Sequence, residues 1–384
     1  MKKILFAAPH YFSSFARVGG HQYARMFAKN SWDVLYVSNF LSPLNLLLNL
    51  NDKSVRSRFL NHVKGGEKVS KNLLSYVPFT AFPHHNHTTL DRKWILNNYY
   101  RFSIPSLKSY LKKGGFDKVD LLWLDCPNQL FWKKIFKNVK SIYRISDAIE
   151  EFPNTGQNLL CAHYEAIEKC DLVIVTSKII LSELEKNHLN KTFHYCPNGV
   201  DLSNFIRKDY SYPSEYVSLK SKIALYVGAI DEWFDLDLLL YLADHCKNID
   251  FIVIGPDKFL KMQTIVRPNI KYLGPKPYLE VPNYMFYCDF GIIPFKKSKL
   301  VRCVNPIKMY EFFSLGKPVI STTWEELELI NSPCLLAKDH HSFLGLILDQ
   351  WNLSQTKKDH LIQYAKDNTW DNRFKYITNL VKLG

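Results

Sequence analysis

The sequence predicts an α/β protein built from two domains, each with a largely parallel sheet. Three observations carry this. The 384 residues, 47% of them hydrophobic, suffice for two cores of ordinary size. In the second half, Ile223–Gly228, Phe251–Gly255, Ile270–Leu273, Phe290–Pro294 and Val319–Ser321 are short apolar runs, each followed by a loop or a helical pattern, the alternation of a parallel sheet with crossover helices. Between the last two lies VNPIKMYEFFSLGKPVIST (304–322), a short helix with sharp ends. Asn305 is expected to cap it with Pro306 at its first position, and Gly316 and Pro318 stop it.

In an open parallel sheet such a helix starts at the carboxyl ends of the strands, where ligands bind. Lys308 and Glu311 are three apart and share one face. Free N–H groups and the positive helix end suit a phosphate, Lys308 adds a charge, and Glu311 can accept from vicinal hydroxyls, so the pattern describes a nucleotide. Ile307 and Tyr310 lie on the same helix, and Arg302, last cation of KKSKLVR, precedes it. Gly228 and the loop after it, with Asp231, Glu232 and Trp233, are further candidates for that nucleotide pocket, Trp233 by stacking on a ring.

In the first half, Ile4–Ala8 reads as the opening strand and Gly19–Gly20 begin a helix to about Lys29; the glycine pair permits close approach of a ligand. His10 and His21 flank that loop and join Gly19 and Gly20 as candidates to meet a substrate. Asp33–Ser38 is the next strand. From 40 to 110 the pattern blurs into a short apolar helix at Leu44–Leu50, a strand within Ser75–Phe82 and one amphipathic helix over Trp94–Leu111. Val119–Asp125, Lys140–Ser146, Asp171–Ser177 and Thr192–Cys196 follow as strands. Asp147, just past KSIYRIS at a strand's carboxyl end, is a candidate general base, although an aspartate there also suits a helix cap; Glu150 and Glu151 compete with it, and Arg144 is near enough in sequence to lower its pKa unless strand alternation turns it away.

The chain carries a formal charge of +14. Residues 41–120 alone hold thirteen Lys/Arg against five Asp/Glu, interleaved with Leu44, Leu46–Leu48, Leu50, Trp94, Tyr99, Tyr100 and Phe102. Such a surface suits an anionic membrane face, or is simply a solvated face over core residues; no nucleic-acid motif accompanies it. No run approaches the ~20 apolar residues of a membrane span, and MKKILFAAPHYF is too short in its apolar part for a signal peptide, so it reads as a buried strand. Eight cysteines without metal or redox spacing read as thiols of a reducing cytoplasm. His84, His85 and His87 lie close together, but three histidines on one short stretch are a weak metal signal, and no metal is expected.

NPIKMYEFFSLGKPVIST resembles the donor motif of GT-B-fold nucleotide-sugar glycosyltransferases, PNGVDLSNF (197–205) their interdomain hinge, and YVGAIDEWFD (226–235) the opening of their donor domain. YRISDAIEEF (143–152) resembles the segment of xanthan-type glucuronosyltransferases in which an aspartate after the strand is the catalytic base. The resemblance implies a GT-B architecture, two Rossmann-like domains with parallel sheets facing across a cleft: residues 1–198 for the acceptor, 199–368 for the donor, and 369–384 as a terminal helix crossing back. It implies Lys308 by the diphosphate, Glu311 on the ribose, and no catalytic metal. Retaining relatives usually carry a second glutamate eight positions before the first-named one; here Cys303 stands there.

The expectation is therefore an inverting, metal-independent transferase moving a sugar from a UDP-sugar, with UDP-glucuronate in view, to a lipid-linked or growing surface polysaccharide at the cytoplasmic membrane face. A retaining transferase, a nucleotide-sugar epimerase, and a basic membrane-binding protein with a vestigial sugar site are the alternatives.

Overall fold

A computed structural model describes residues 1–14, 17–49, 52–82, 92–153, 155–349 and 353–382. His84, His85 and His87 lie outside the described residues. The chain forms two compact units, Met1–Cys196 and Pro197–Gly384. The mixed α/β architecture with two largely parallel sheets is the one expected.

The strands of the first unit are β1 (Lys3–Ala7), β2 (Asp33–Val37), β3 (Glu67–Ser70), β4 (Leu73–Tyr76), β5 (Leu121–Leu124), β6 (Lys140–Ile145), β7 (Leu172–Val175) and β8 (Phe193–Tyr195). They run in the order β3-β4-β2-β1-β5-β6-β7-β8, all parallel except the β3–β4 pair at one edge. β5, read LLWL, is buried along its whole length, as a central strand covered on both faces must be. The order reverses between β1 and β5, and the loops leaving those two strands diverge there.

Two expectations are corrected in this unit. The strand expected at Ser75–Phe82 lies earlier, at Leu73–Tyr76. The segment 94–111 is not a single helix. It breaks into a helix at Lys93–Asn98, a tight turn at Tyr99–Phe102 and a second helix at Leu107–Gly114, because Pro105 supplies no N–H and clashes with a continuing helix.

The second unit holds β9 (Lys222–Val227), β10 (Ile249–Ile254), β11 (Ile270–Tyr272), β12 (Phe290–Ile293), β13 (Val319–Thr322) and β14 (Leu335–Ala337), ordered β11-β10-β9-β12-β13-β14 and all parallel. Side-chain alternation divides its core. Ile223, Leu225 and Val227 of β9, with Ile252 and Ile254 of β10, join one cluster, whereas Ala224, Tyr226, Phe251 and Val253 join the other. The first cluster is closed by the helix Ile307–Ser314 and by Leu361 and Ala365, the second by Leu238, Leu239 and Leu242 and by Phe343 and Ile347. At the crest, Gly255 has φ 149° and a Cβ there would overlap the carbonyl of Gly228, so the turns after β9 and β10 pack backbone to backbone. The last helix, Trp370–Val381, begins by pairing with the start of the unit: Val200 N donates to Asn368 O and Trp370 N to Val200 O.

Candidate active site

In the second unit the helix Ile307–Ser314 connects β12 to β13, and residues 309–314 are all buried. Its N-cap is Pro306, which offers no side-chain acceptor, so no side chain caps the first N–H groups. This corrects the expectation for Asn305. Asn305 stands one position earlier and its side chain is engaged elsewhere: Oδ1 accepts from Asn198 N at 3.1 Å and from Tyr310 Oη at 3.3 Å, while its carbonyl accepts from Asn198 Nδ2 at 2.8 Å. The backbone donor at Asn198 fixes which end of the amide is oxygen. Asn305 Nδ2 is thereby left as a buried donor with no partner, one residue before an uncapped helix start.

Lys308 Nζ lies 2.6 Å from Glu311 Oε2, and Glu311 is only 1% exposed. Burial raises the Glu311 pKa above its ordinary value, and the Lys308 ammonium opposes that shift. The ammonium also sits over the Tyr278 ring at 5.8 Å. The two residues expected to part between diphosphate and ribose thus pair with each other.

The other donor candidates divide into two groups. Ile307 is the first residue of the helix and half-buried, and Arg302, half-exposed, approaches Glu325 at 3.8 Å. Gly228 closes β9, and a Cβ on it would come within 2.6 Å of the Tyr226 hydroxyl, which donates to Ala229 O; Trp233 is half-buried in the same loop and its carbonyl accepts from Lys296 N. Tyr310 serves the fold. It is buried, stacks on Tyr364 at 6.0 Å, and burial pushes its hydroxyl up to about 12. Sequence reasoning missed Trp324, whose Nε1 donates to Val304 O at 2.9 Å and whose ring stacks on Phe295, and Tyr278. Only their aromatic character, in loops after strands, could have flagged them.

In the first unit the candidates gather beyond the ends of β1, β5 and β6. Asp147 is exposed, in the bend after β6, and accepts from Ser146 Oγ at 2.8 Å. It caps nothing: the turn Ile149–Glu151 has Ala148 at its cap. His10 follows β1, open to solvent yet closely walled by protein, and that crowding lowers its pKa against the opposing pull of Asp147 and Asp125. Arg144 turns inward. Its guanidinium pairs with Asp125 at 3.8 Å, both side chains nearly inaccessible, and lies over the Tyr23 ring. Trp123 Nε1 donates to Asp125 at 2.7 Å; burial raises the Asp125 pKa while Arg144 and that hydrogen bond hold it back.

The Asp125–Arg144 pair explains the glycines that open the helix Gly19–Lys29. A Cβ on Gly19 would overlap the Arg144 guanidinium and one on Gly20 would overlap Asp125 Oδ2. His21 is the other candidate with a structural post. It is fully buried, its Nε2 faces Tyr11 O at 3.1 Å and its Nδ1 faces Val18 N at 3.2 Å, so the neutral Nε2–H tautomer satisfies both; burial pushes its pKa down to about 3. Among the described residues no group of three His, Cys, Asp or Glu is arranged to hold a metal ion, and no helix is long and apolar enough to cross a membrane.

Comparison with known proteins follows the same division. Residues 6–176 match the family model described as the N-terminal domain of glucuronosyltransferase GumK. TuaH of Bacillus subtilis, a putative teichuronic acid biosynthesis glycosyltransferase, is 25% identical over 280 residues, covering 67% of this chain and 70% of TuaH. Among solved structures, sucrose-phosphate synthase of Thermosynechococcus elongatus matches with a TM-score of 0.71 and 15% identity, covering 100% of this chain and 99% of its own. Anabaena HepE, in complex with UDP and glucose, matches with a TM-score of 0.67 and 14% identity over 100% of both chains. At those identities the two structures speak for the fold.

Proposed function

We propose that this chain, a glycosyltransferase of the GT-B fold related to xanthan-type and other polysaccharide-building transferases, moves a sugar from a UDP-sugar to a hydroxyl of a lipid-linked or growing surface polysaccharide, with inversion and without a metal. The observation that carries the donor assignment is the uncapped start of the helix Ile307–Ser314 with Asn305 Nδ2, Lys308 and buried Glu311 around it. On donor binding, the helix start and Lys308 take the diphosphate and Glu311 accepts from the ribose hydroxyls. Asp147 removes the acceptor proton as the acceptor oxygen bonds to the anomeric carbon; the bond from that carbon to the diphosphate breaks and UDP leaves with its charge held by Lys308 and the helix start. The buried thiol of Cys303, where retaining relatives carry glutamate, favours inversion.

The same reading places the protein on the inner membrane face. Phe82, Trp94 and Phe102 touch one another with Trp94 58% exposed, and Ile104, Leu47 and Leu48 are exposed in the same basic segment. An anionic bilayer would receive both the charge and the rings.

The test is sugar transfer from a panel of nucleotide-sugars to membrane extract, beginning with UDP-glucuronate, followed by the anomeric configuration of the product. Transfer from a UDP-sugar with an inverted product supports the proposal. A retained product overturns inversion, and UDP release without any acceptor points to an epimerase.

A further inference from the structure

The bend that carries Asp147 is short and solvent-facing, yet it is tied down from three sides. Thr176 Oγ1, beyond β7, donates to Ser146 O at 2.9 Å, and Thr155 Oγ1 donates to Ile149 O at 2.8 Å. The third tie is longer. His163, on the helix Gln157–Lys169, is 2% exposed and stands between Tyr143 of β6 and Glu150 of the bend. Its Nδ1 is 2.7 Å from Tyr143 Oη, and its Nε2 is 3.5 Å from Glu150 Oε1. The next residue of that helix, Tyr164, also donates to Glu150 Oε1, at 3.3 Å.

The directions of these bonds follow from the partners. An ionised carboxylate can only accept, so Nε2 carries the ring proton and Nδ1 accepts from the Tyr143 hydroxyl. The ring is neutral at physiological pH because burial, helped by His188, pushes its pKa down to about 4. Tyr143 O–H thus donates to His163, whose Nε2 faces Glu150 Oε1 at 3.5 Å, and Tyr164 O–H donates to that same oxygen, so one helix reaches from the strand before Asp147 to the turn after it.

We infer that Tyr143, His163 and Glu150 form a latch that positions Asp147: the strand and the turn on either side of the bend are clamped to one helix, so the carboxylate between them is held in one place while itself remaining free of any cap. This rests on the reading of Asp147 as the base. Glu150 is then a positioning residue and not a competing base, since its Oε1 accepts from Tyr164 and faces His163 Nε2.

The experiment compares Glu150→Ala, Glu150→Gln and Tyr143→Phe with wild type and with Asp147→Asn, reading kcat, donor KM, melting temperature, and amide hydrogen exchange of the 146–152 peptide. Glu150 is exposed enough that its alanine variant keeps the fold. With Glu150→Ala, exchange in the peptide is expected to quicken and kcat to fall about tenfold or more at unchanged KM and melting temperature, since a 1 Å misplacement costs up to ~10²-fold. Glu150→Gln still accepts from His163 and Tyr164 and is expected to restore both readouts. Unchanged exchange and kcat in Glu150→Ala and Tyr143→Phe, with Asp147→Asn inactive, overturns the latch alone. Quickened exchange with unchanged kcat, and an active Asp147→Asn, overturns the base assignment and the inference with it. A Glu150→Gln variant as impaired as Glu150→Ala gives the Glu150 charge a direct part and also overturns the latch.

Discussion

The two units solve the same placement problem with opposite treatments of a carboxylate. In the second unit Glu311 is buried on a helix, raised in pKa, and compensated by Lys308 at 2.6 Å. In the first, Asp147 is exposed in a bend, with one hydroxyl for a partner. A buried, paired carboxylate is a fixed acceptor suited to recognising hydroxyls; an exposed, uncapped one can exchange protons with a substrate. The first unit also contains a buried carboxylate, Asp125, but it is spent on Arg144 and Trp123 inside the fold. Under the proposed mechanism, accessibility separates the carboxylate that does chemistry from those that bind or build.

The sharpest way to break this contrast is Asp147→Asn. It should lower kcat by about 10²–10⁴-fold, the usual contribution of a general base, while UDP still protects the fold in a thermal shift. Retained activity would mean that exposure has misled the assignment.

Lys308→Ala comes next. It removes the diphosphate cation and strands Glu311, so UDP protection should vanish and unfolding free energy fall by about 1–3 kcal/mol, with Lys308's partial exposure keeping the loss at that level. Glu311→Gln sharpens the point through pH. Because the folded pKa of Glu311 lies above its ordinary 4.5, the folded state holds that proton more tightly than the unfolded chain. Its stabilising effect is full below about 4.5 and is lost as pH rises toward the folded pKa, so denaturant titrations of Glu311→Gln should lack that decline.

A smaller effect is expected from Gly20→Ala, where the added methyl meets Asp125 Oδ2. Overpacking of this kind costs about 1–3 kcal/mol and should appear as a lower melting temperature with an unaltered response to UDP. The smallest belongs to Glu325→Ala. Its contact with Arg302 is long and exposed, so stability should change by less than about 1 kcal/mol, and donor affinity should not fall in a binding titration.

Much of this was legible because parallel strands buried on both faces are apolar runs, as LLWL at β5 and FGII at β12 show. β3, read EKVS, is an edge strand with hardly any buried side chain and left no such run; β14 is only three residues long. The break at Pro105 was written in the sequence, and the helical periodicity on both sides of it outweighed that signal. In the site, Lys308 and Glu311 were visible because three positions on a helix make neighbours by geometry alone. Asp125 with Arg144, and Tyr143 with His163, are pairs assembled across separate elements by the sheet, and no local pattern announces them. Asn305 was misread as a cap because its sequence position permits one; a tertiary bond to Asn198 claimed the side chain first.

That bond has a mechanical meaning. Asn198 is the second residue of the donor unit, and through two hydrogen bonds to Asn305 it is pinned beside the first turn of the helix that bears Lys308 and Glu311. Tension arriving along the polypeptide from residue 197 is shared at Asn198 between that turn and the last helix, whose Arg373 Nε donates to Asn198 O at 3.4 Å. In a force experiment pulling from residue 197, an early rupture is expected at that turn, and under the proposed donor assignment a bound nucleotide raises the force needed.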